Sequence, residues 1–555
     1  MHTDKLASVH LIELLIRKGI RDFIVSPGSR NAPLIMELSN RKNVNLYSIT
    51  DERSAAFVAI GMYQKTGNPV AITCTSGSAL LNYAPAVSEA FYQAIPLIVI
   101  SADRPSFWID KGEGQTIRQR KALANFVHCE LNIELDSDLV DYSTLDQKIG
   151  ECIDYSLGPI PGPVHINIEF EEPLYQKVDS HIDLEIKSFD ALIKTEDKLD
   201  LSSFVSSISN SEKVMVLCGQ MPPNKELSIA LEKLAEKNQL VIITESTSNL
   251  HSSHFIPSID KTLFTIEKRF RDFRPDILIS LGDALVSKIV KRLLRDFPPR
   301  EHWQISPNAI FRDTFKVLSH SIHTDPVAFI EAINSSISST TSNYKVEWKA
   351  QYDKACSVYE SFRSNMEFSD LKVFDLIINS VEKESDFHIA NSSPIRYQQL
   401  FENKMINTYC NRGTSGIDGC SSTALGFSIK NNKETWLITG DISFLYDSNA
   451  LWNSYKSNLK IILINNGGGG IFRILPGPKE IEDFETLIEA NHNVDFESIC
   501  KAFKVNYSFS NDTDSFKSAL KELKEIDGPA LLEVKTPRER NAIVLKNYFD
   551  LLKEE

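Results

Sequence analysis

The feature that most constrains this chain is a recurring alternation of short, β-rich apolar runs with longer stretches of helical period. The first third holds Phe23 to Val25, Val70 to Thr73, Leu97 to Ile100 and Val164 to Ile168. Val214 to Leu217, Leu240 to Thr244, Ile277 to Ile279 and Trp303 to Ile305 follow, then Thr435 to Ile438, Ile461 to Ile464 and Leu531 to Val534. Apolar runs of that length, separated by helices, predict parallel strands covered on both faces. Three sets of runs predict three sheets. The length of 555 residues agrees, since about 150 residues per domain gives three to four domains. The polar stretch from Glu171 to about Asp200 and the run from Ser335 to Ser342 have the composition of linkers.

Several classes of protein are excluded early. The eight cysteines form no C-x-x-C pair, which predicts core thiols in a reducing compartment, without zinc knuckles or a disulfide framework. No apolar run approaches the roughly 18 residues that cross a bilayer, and no signal-peptide pattern opens the chain. A cytoplasmic protein without membrane insertion is expected. The formal charge of −14 disfavours nucleic acid as a partner, so anionic ligands must be met by local clusters of Arg and Lys.

Gly162-Pro163 precedes one buried run and Gly528-Pro529 another, which hints at a structural duplication between the first and last thirds. The strongest chemical signal lies in the last third. Thr439-Gly440-Asp441-Ile442-Ser443 follows one apolar run, and Asn465-Asn466 followed by Gly467 to Gly470 follows the next. Ligand sites in open α/β sheets form at the carboxyl ends of strands, which would bring Asp441 and Asn466 into one crevice. A carboxylate and an amide oxygen suit Mg²⁺, while a glycine run lets backbone approach a phosphate. No G-x-x-x-x-G-K-[ST] is present, so the predicted diphosphate site is not a P-loop.

Gly440-Asp441 and Asn465-Asn466 resemble the metal and diphosphate signature of thiamine-diphosphate-dependent enzymes. That superfamily offers a glutamate from another domain, and Asp51-Glu52-Arg53-Ser54-Ala55-Ala56 supplies it here. Further stretches resemble the menaquinone-pathway synthases of that superfamily: Ser26 to Leu34, Thr75 to Ala79, Ser101 to Pro105, Gln115 to Gln119, Asn411 to Gly419 and Gly470 to Pro476. The resemblance spans the whole chain, with the middle least distinctive. It implies an α/β fold of three doubly wound parallel-sheet domains: a pyrimidine-binding domain over 1–180, a central domain over 195–335 and a diphosphate-binding domain over 355–555.

The same resemblance implies thiamine diphosphate with Mg²⁺, or Mn²⁺ in its place, as cofactors. Asp441, Asn466 and Gly468 would hold the metal, and Glu52, Ser415, Ile417, Gly440, Asp441, Ser443, Asn466 and Gly468 the cofactor, with Glu52 activating it and Ile417 as apolar wedge. The implied reaction is decarboxylation of 2-oxoglutarate and conjugate addition of the resulting carbanion to isochorismate. Both substrates are dicarboxylates, matched by Arg30, Arg104, Lys291, Arg292, Arg396 and Arg412, with Ser29, Gln115 and Ser392 as neutral donors and Ile471, Phe472 and Leu475 as an apolar wall. Family members share each cofactor between two subunits, so a dimer or a dimer of dimers is expected.

Two departures from the family pattern are Gly114, where some members carry Asn, and the longer glycine run, which predicts a looser phosphate loop. The nearest rival is an acetohydroxyacid synthase or a 2-oxoacid decarboxylase. Small neutral acceptors would not need so many carboxylate clamps. The middle third also lacks a G-x-G-x-x-G fingerprint for a flavin or other dinucleotide. A cofactor-free scaffold is the other alternative, against which the joint presence of Glu52, Asp441 and Asn466 argues.

Overall fold

The computed structural model describes all residues except 1, 135–140, 180–200, 238–239, 309, 338–341, 403–405, 454, 456, 476 and 555. Much of both sequence-predicted linkers, and Pro476, therefore lie outside the described residues. A two-stranded antiparallel pair, β1 (His2–Thr3) with β8 (Lys177–Val178), accompanies three parallel sheets.

The first sheet holds β2 (Asp22–Val25), β3 (Asn45–Ser48), β4 (Val70–Cys74), β5 (Leu97–Asp103), β6 (Cys129–Ile133) and β7 (Val164–Glu169), in the order β3-β2-β4-β5-β7-β6. The second holds β9 (Val214–Cys218), β10 (Val241–Thr244), β11 (Ile277–Leu281), β12 (Glu301–Ser306) and β13 (His320–His323), in the order β10-β9-β11-β12-β13. The third holds β14 (Asp386–Ile389), β15 (Asn407–Tyr409), β16 (Thr435–Gly440), β17 (Leu459–Asn465), β18 (Asn506–Ser510) and β19 (Ala530–Lys535), in the order β15-β14-β16-β17-β19-β18.

The first and third sheets repeat one topology strand for strand. The two strands that follow Gly-Pro, β7 and β19, take the same fifth place, so the hinted duplication is present in the architecture. All three sheets are parallel and flanked by helices, as the alternation of apolar runs predicts. Central strands such as β4, β5, β7 and β17 are buried along their whole length, which is why they read as unbroken apolar runs. The strands without such a run are mostly edge strands, where a polar face meets solvent: β6, β13 and β18 are only partly buried. β14 is buried yet polar. Asn407 Nδ2 donates to Asp386 Oδ1 at 2.8 Å, and His388 stacks on Tyr409.

By contact the chain divides into two units: residues 1–196 with 413–433 and 447–457, and residues 197–412 with 434–446 and 458–555. In the second unit the helix Tyr344–Arg363 ties two cores together. Trp348 packs into the core of the second sheet, and Ala355 belongs to that of the third. All eight cysteines are free, and six are buried. Among the described residues, no helix is long and apolar enough to cross a membrane.

In the first unit the helix Glu52–Thr66 packs against Cys420–Lys430 at backbone distance. A Cβ on Gly61 would stand 1.9 Å from the Thr423 carbonyl oxygen, and one on Gly426 would stand 2.0 Å from that of Val58. Opposed glycines thus let two helix backbones touch. Asp51 caps the first helix, accepting from Ser54 N at 3.1 Å and from Asn449 Nδ2 at 2.7 Å. Buried Asp447 serves the second, accepting from Ser422 N at 2.6 Å and Ser422 Oγ at 2.7 Å.

Gly61→Ala is expected to force these helices apart and cost about 1–3 kcal/mol, as overpacking does. Gly150→Ala, in the helix Tyr142–Leu157 with nothing within 4 Å of the added carbon, should be neutral or stabilise by up to about 1 kcal/mol. Thermal midpoints at one scan rate separate the two. Equal midpoints would contradict the close helix pair.

Candidate active site

Parallel strands deliver the residues that follow them to one edge of each sheet, and the candidate residues collect there. In the first unit Glu52 opens its helix shortly after β3, and burial, with a smaller push from Asp51, raises its carboxyl above the usual range. The loop bearing Ser415 and Ile417 runs into the partner helix of Glu52 and is anchored by Glu89. Glu89 is 1% exposed and accepts from Gly413 N at 2.7 Å, Thr414 N at 2.6 Å and Thr414 Oγ1 at 2.6 Å. Ser415 sits at φ +63°, and Ile417 is half-buried.

Ser29 and Arg30 follow β2, Arg104 follows β5, and Gln115 lies against Gly77 just beyond β4. Arg30 is 3% exposed; Nη1 donates to the Phe170 carbonyl at 2.9 Å, and Nη2 reaches Glu172 at 3.3 Å. Burial lowers its pKa, and neighbouring Arg104 lowers it further. The Nε atoms of Arg30 and Arg104 are both buried without a hydrogen-bond partner. Arg30 Nη2 meets Glu172 and Arg104 Nη1 meets Glu113 at 3.5 Å, but the two buried Nε donors remain unpaired, a state that costs about 1–3 kcal/mol each and that an anionic ligand would relieve. Gln119 braces this edge, accepting from Gly77 N at 2.8 Å and donating to Asn167 Oδ1 at 2.8 Å.

In the second unit Gly440 pairs with Ile464 across β16 and β17, so Asp441 and Asn466 emerge side by side. Asp441 Oδ2 accepts from Gly467 N at 2.7 Å and Gly468 N at 3.0 Å, and His492 Nε2 lies 3.4 Å away. Gly469 N donates to the Glu489 carbonyl at 2.6 Å, so the glycine run predicted to be loose is tied both to the Asp441 carboxylate and to backbone. Gly468 has φ +156°, and a Cβ there would stand 2.8 Å from the Glu489 carbonyl oxygen. Ser443 is buried in the helix Asp441–Tyr446.

Asn466 Nδ2 donates to Asp370 at 3.1 Å, while its Oδ1 is buried and accepts nothing. Asp370, braced by Thr536 at 2.6 Å and Asn541 at 3.0 Å, is pushed up to about 6, chiefly by burial. A buried carboxylate beside an amide oxygen with no donor fits a hard cation. A cavity of about 690 Å³ borders Asn466, Gly467, His492, Lys535 and Arg538.

A second cationic group gathers in the same unit. Arg412 Nη1 donates to Asn391 Oδ1 at 2.9 Å, and its Nε is buried and unpartnered. Arg396 Nη1 donates to the Ser392 carbonyl at 2.5 Å, and burial, then Arg412, lowers the Arg396 pKa. Lys291 Nζ donates to the Leu285 carbonyl at 2.7 Å; burial lowers its pKa, against the pull of Glu245. Arg292 stays apart: it is exposed, pairs with Glu267 and lies over the Phe270 ring. Arg396, Ile471 and Leu475 share one cavity of about 150 Å³, whereas Phe472 lies against Gly469. Glu89, Gln119, Asp370, Asn391 and His492 all support these sites; only Gln119 falls in a stretch marked by the family resemblance, and no motif marks the other four.

The thiamine pyrophosphate enzymes match this chain twice, through their N-terminal TPP binding domain at residues 7–123 and their C-terminal TPP binding domain at 392–534. Similarity to individual proteins runs nearly end to end. The 2-succinyl-5-enolpyruvyl-6-hydroxy-3-cyclohexene-1-carboxylate synthase of Flavobacterium psychrophilum is 44% identical over 547 residues, 97% of either chain. The synthase of the same name from Porphyromonas gingivalis is 38% identical over 573 aligned positions, covering 100% of this chain and 98% of the relative. With both TPP binding domains present and this identity sustained over the full length, the chain belongs to the thiamine pyrophosphate enzymes, in the family of 2-succinyl-5-enolpyruvyl-6-hydroxy-3-cyclohexene-1-carboxylate synthases.

Proposed function

We propose that this protein decarboxylates 2-oxoglutarate and adds the resulting four-carbon unit to isochorismate, in menaquinone biosynthesis. The observation that carries the reading is the full-length identity to synthases of that name. The buried, unpartnered guanidinium nitrogens of Arg30, Arg104 and Arg412 support it, since both substrates carry two carboxylates. An acetohydroxyacid synthase, acting on monocarboxylates, would leave such donors without use.

Thiamine diphosphate, when bound, supplies the electron sink that lets a 2-oxo acid lose carbon dioxide. The protein supplies binding and orientation. Asp441, Asn466 Oδ1 and the Gly468 carbonyl are the residues that would hold Mg²⁺. Buried Ser443 and half-buried Gly440 flank them. Glu52 would hydrogen-bond the pyrimidine ring, and its raised pKa suits that role because it retains a proton at a higher pH than an exposed glutamate. Arg forks fix the direction of a carboxylate as well as its charge, so Arg30 with Arg104, and Arg396 with Arg412, would orient substrate rather than merely attract it. Ile417, Ile471 and Leu475 would exclude water.

Asp441→Asn keeps the side-chain volume and one acceptor but removes the charge. It should weaken Mg²⁺-dependent binding of thiamine diphosphate by more than about 100-fold, beyond the loss seen when a ligand's supporting residue is changed. Calorimetry with and without Mg²⁺ reads this directly; unchanged affinity and metal dependence would remove Asp441 from the metal site. Glu52→Gln should bind cofactor nearly normally yet exchange the thiazolium proton about 10²–10⁴-fold more slowly, the scale of general acid–base catalysis. Deuterium exchange followed by NMR is the measurement, and a wild-type rate would exclude Glu52 from this role.

A further inference from the structure

Behind Lys291 and Arg396 the second unit holds two acidic side chains that no motif marks. Glu245 follows β10 and is 2% exposed, and both of its oxygens accept backbone bonds at 2.7 Å, from Val286 N and from Ser287 N. Ser287 is a hub: its Oγ caps the helix Lys288–Asp296 by accepting from Val290 N at 3.0 Å, and donates to Asp260 Oδ1. Asp260 lines the 150 Å³ cavity shared by Arg396, Ile471 and Leu475. An unbroken line of hydrogen bonds therefore leads from Glu245 to the wall that bears Arg396.

Two more ties fasten the same region. Ser246 N, next to Glu245, donates to Gln399 Oε1 at 3.2 Å, just past the helix Ser393–Gln398 that carries Arg396. Lys291 lies on the helix that Ser287 caps, and its Nζ donates to the Leu285 carbonyl, one residue before the pair held by Glu245.

Charge explains why acids stand here. Arg412 repels both Lys291 and Arg396, and Glu245 opposes that push at Lys291 as Asp260 does at Arg396. Burial pushes Glu245 up to about 7 and Asp260 up to about 6, so placing them here has a cost that a neutral cap would avoid. Glu245 spends its acceptors on backbone N–H groups and Asp260 meets Ser287, so both steady the cations without tying up the donors a substrate would need.

We propose that Glu245, Ser287 and Asp260 form a positioning relay that sets Lys291 and Arg396 for a dicarboxylate substrate, an inference that rests on the functional reading above. None of the three residues is a catalytic residue. Their role is to fix where the cationic groups point.

The test uses the Mg²⁺–thiamine diphosphate enzyme and steady-state kinetics in each substrate. Asp260→Asn and Glu245→Gln should each raise the KM for the same dicarboxylate about tenfold or more, as loss of supporting residues does, with kcat changed less than about twofold. Calorimetric affinity for thiamine diphosphate should stay at the wild-type value. Asp260→Glu should recover part of the loss, and the double variant should be little worse than either single one, because members of one relay are not additive. Unmoved KM values, an equal fall in kcat, or fully additive losses would overturn the relay. If Glu245→Gln does not fold, Asp260→Asn with Ser287→Ala carries the same comparison. A wild-type enzyme that fails to join the two substrates refutes the functional reading itself, whereas an active wild type with an unaffected Asp260→Asn refutes only the relay.

Discussion

The parallel pairing of strands is the constraint on which the rest depends. Because every strand in a sheet runs the same way, the residues that follow the strands converge on one edge, however far apart they lie in sequence. Asp441 and Asn466 follow adjacent strands whose register ends on Gly440 opposite Ile464. Arg30 and Arg104 follow strands of the first sheet in the same manner. Since the first and third sheets share one strand order, the chain builds two such edges from one plan, and the chemistry differs only in which side chains stand at the strand ends.

Electrostatics then decides what those edges can bind. The chain carries a formal charge of −14, yet it buries Arg30 at 3% exposure and leaves guanidinium nitrogens without partners at Arg30, Arg104 and Arg412. Leaving a buried donor unpaired is unfavourable, and these Nε atoms are therefore the places where a bound carboxylate would gain most. Glu172 and Glu113 reach Arg30 and Arg104, whereas several buried acids are used differently. Glu89, Asp370 and Glu245 bond to backbone or amide N–H groups, holding loops in place and leaving the guanidinium donors open.

Much of this was legible in the sequence where one segment alone carried the signal. Fully buried strands appear as unbroken apolar runs, and Asp441 and Asn466 stand directly after two of them. The edge strands β6, β13 and β18 escaped because half-exposed backbone needs no apolar run, and β14 because Asp386 and His388 interrupt its apolar pattern, with Asp386 accepting from Asn407. Supporting residues escaped for a different reason. Asp370 meets Asn466 across 96 positions and Glu89 meets Gly413 across 324, separations at which no local pattern exists. Lys291 and Arg292 look equivalent as neighbours, but consecutive helical residues point about 100° apart, so only Lys291 turns toward the cationic group while Arg292 takes Glu267.

The reaction is measured most directly through its product. Purified protein mixed with thiamine diphosphate, Mg²⁺, 2-oxoglutarate and isochorismate should release carbon dioxide and yield one adduct. Its mass, read by mass spectrometry, should equal isochorismate plus 2-oxoglutarate less carbon dioxide. Carbon dioxide release without that adduct, or an adduct formed as readily when pyruvate replaces 2-oxoglutarate, would rule this reaction out.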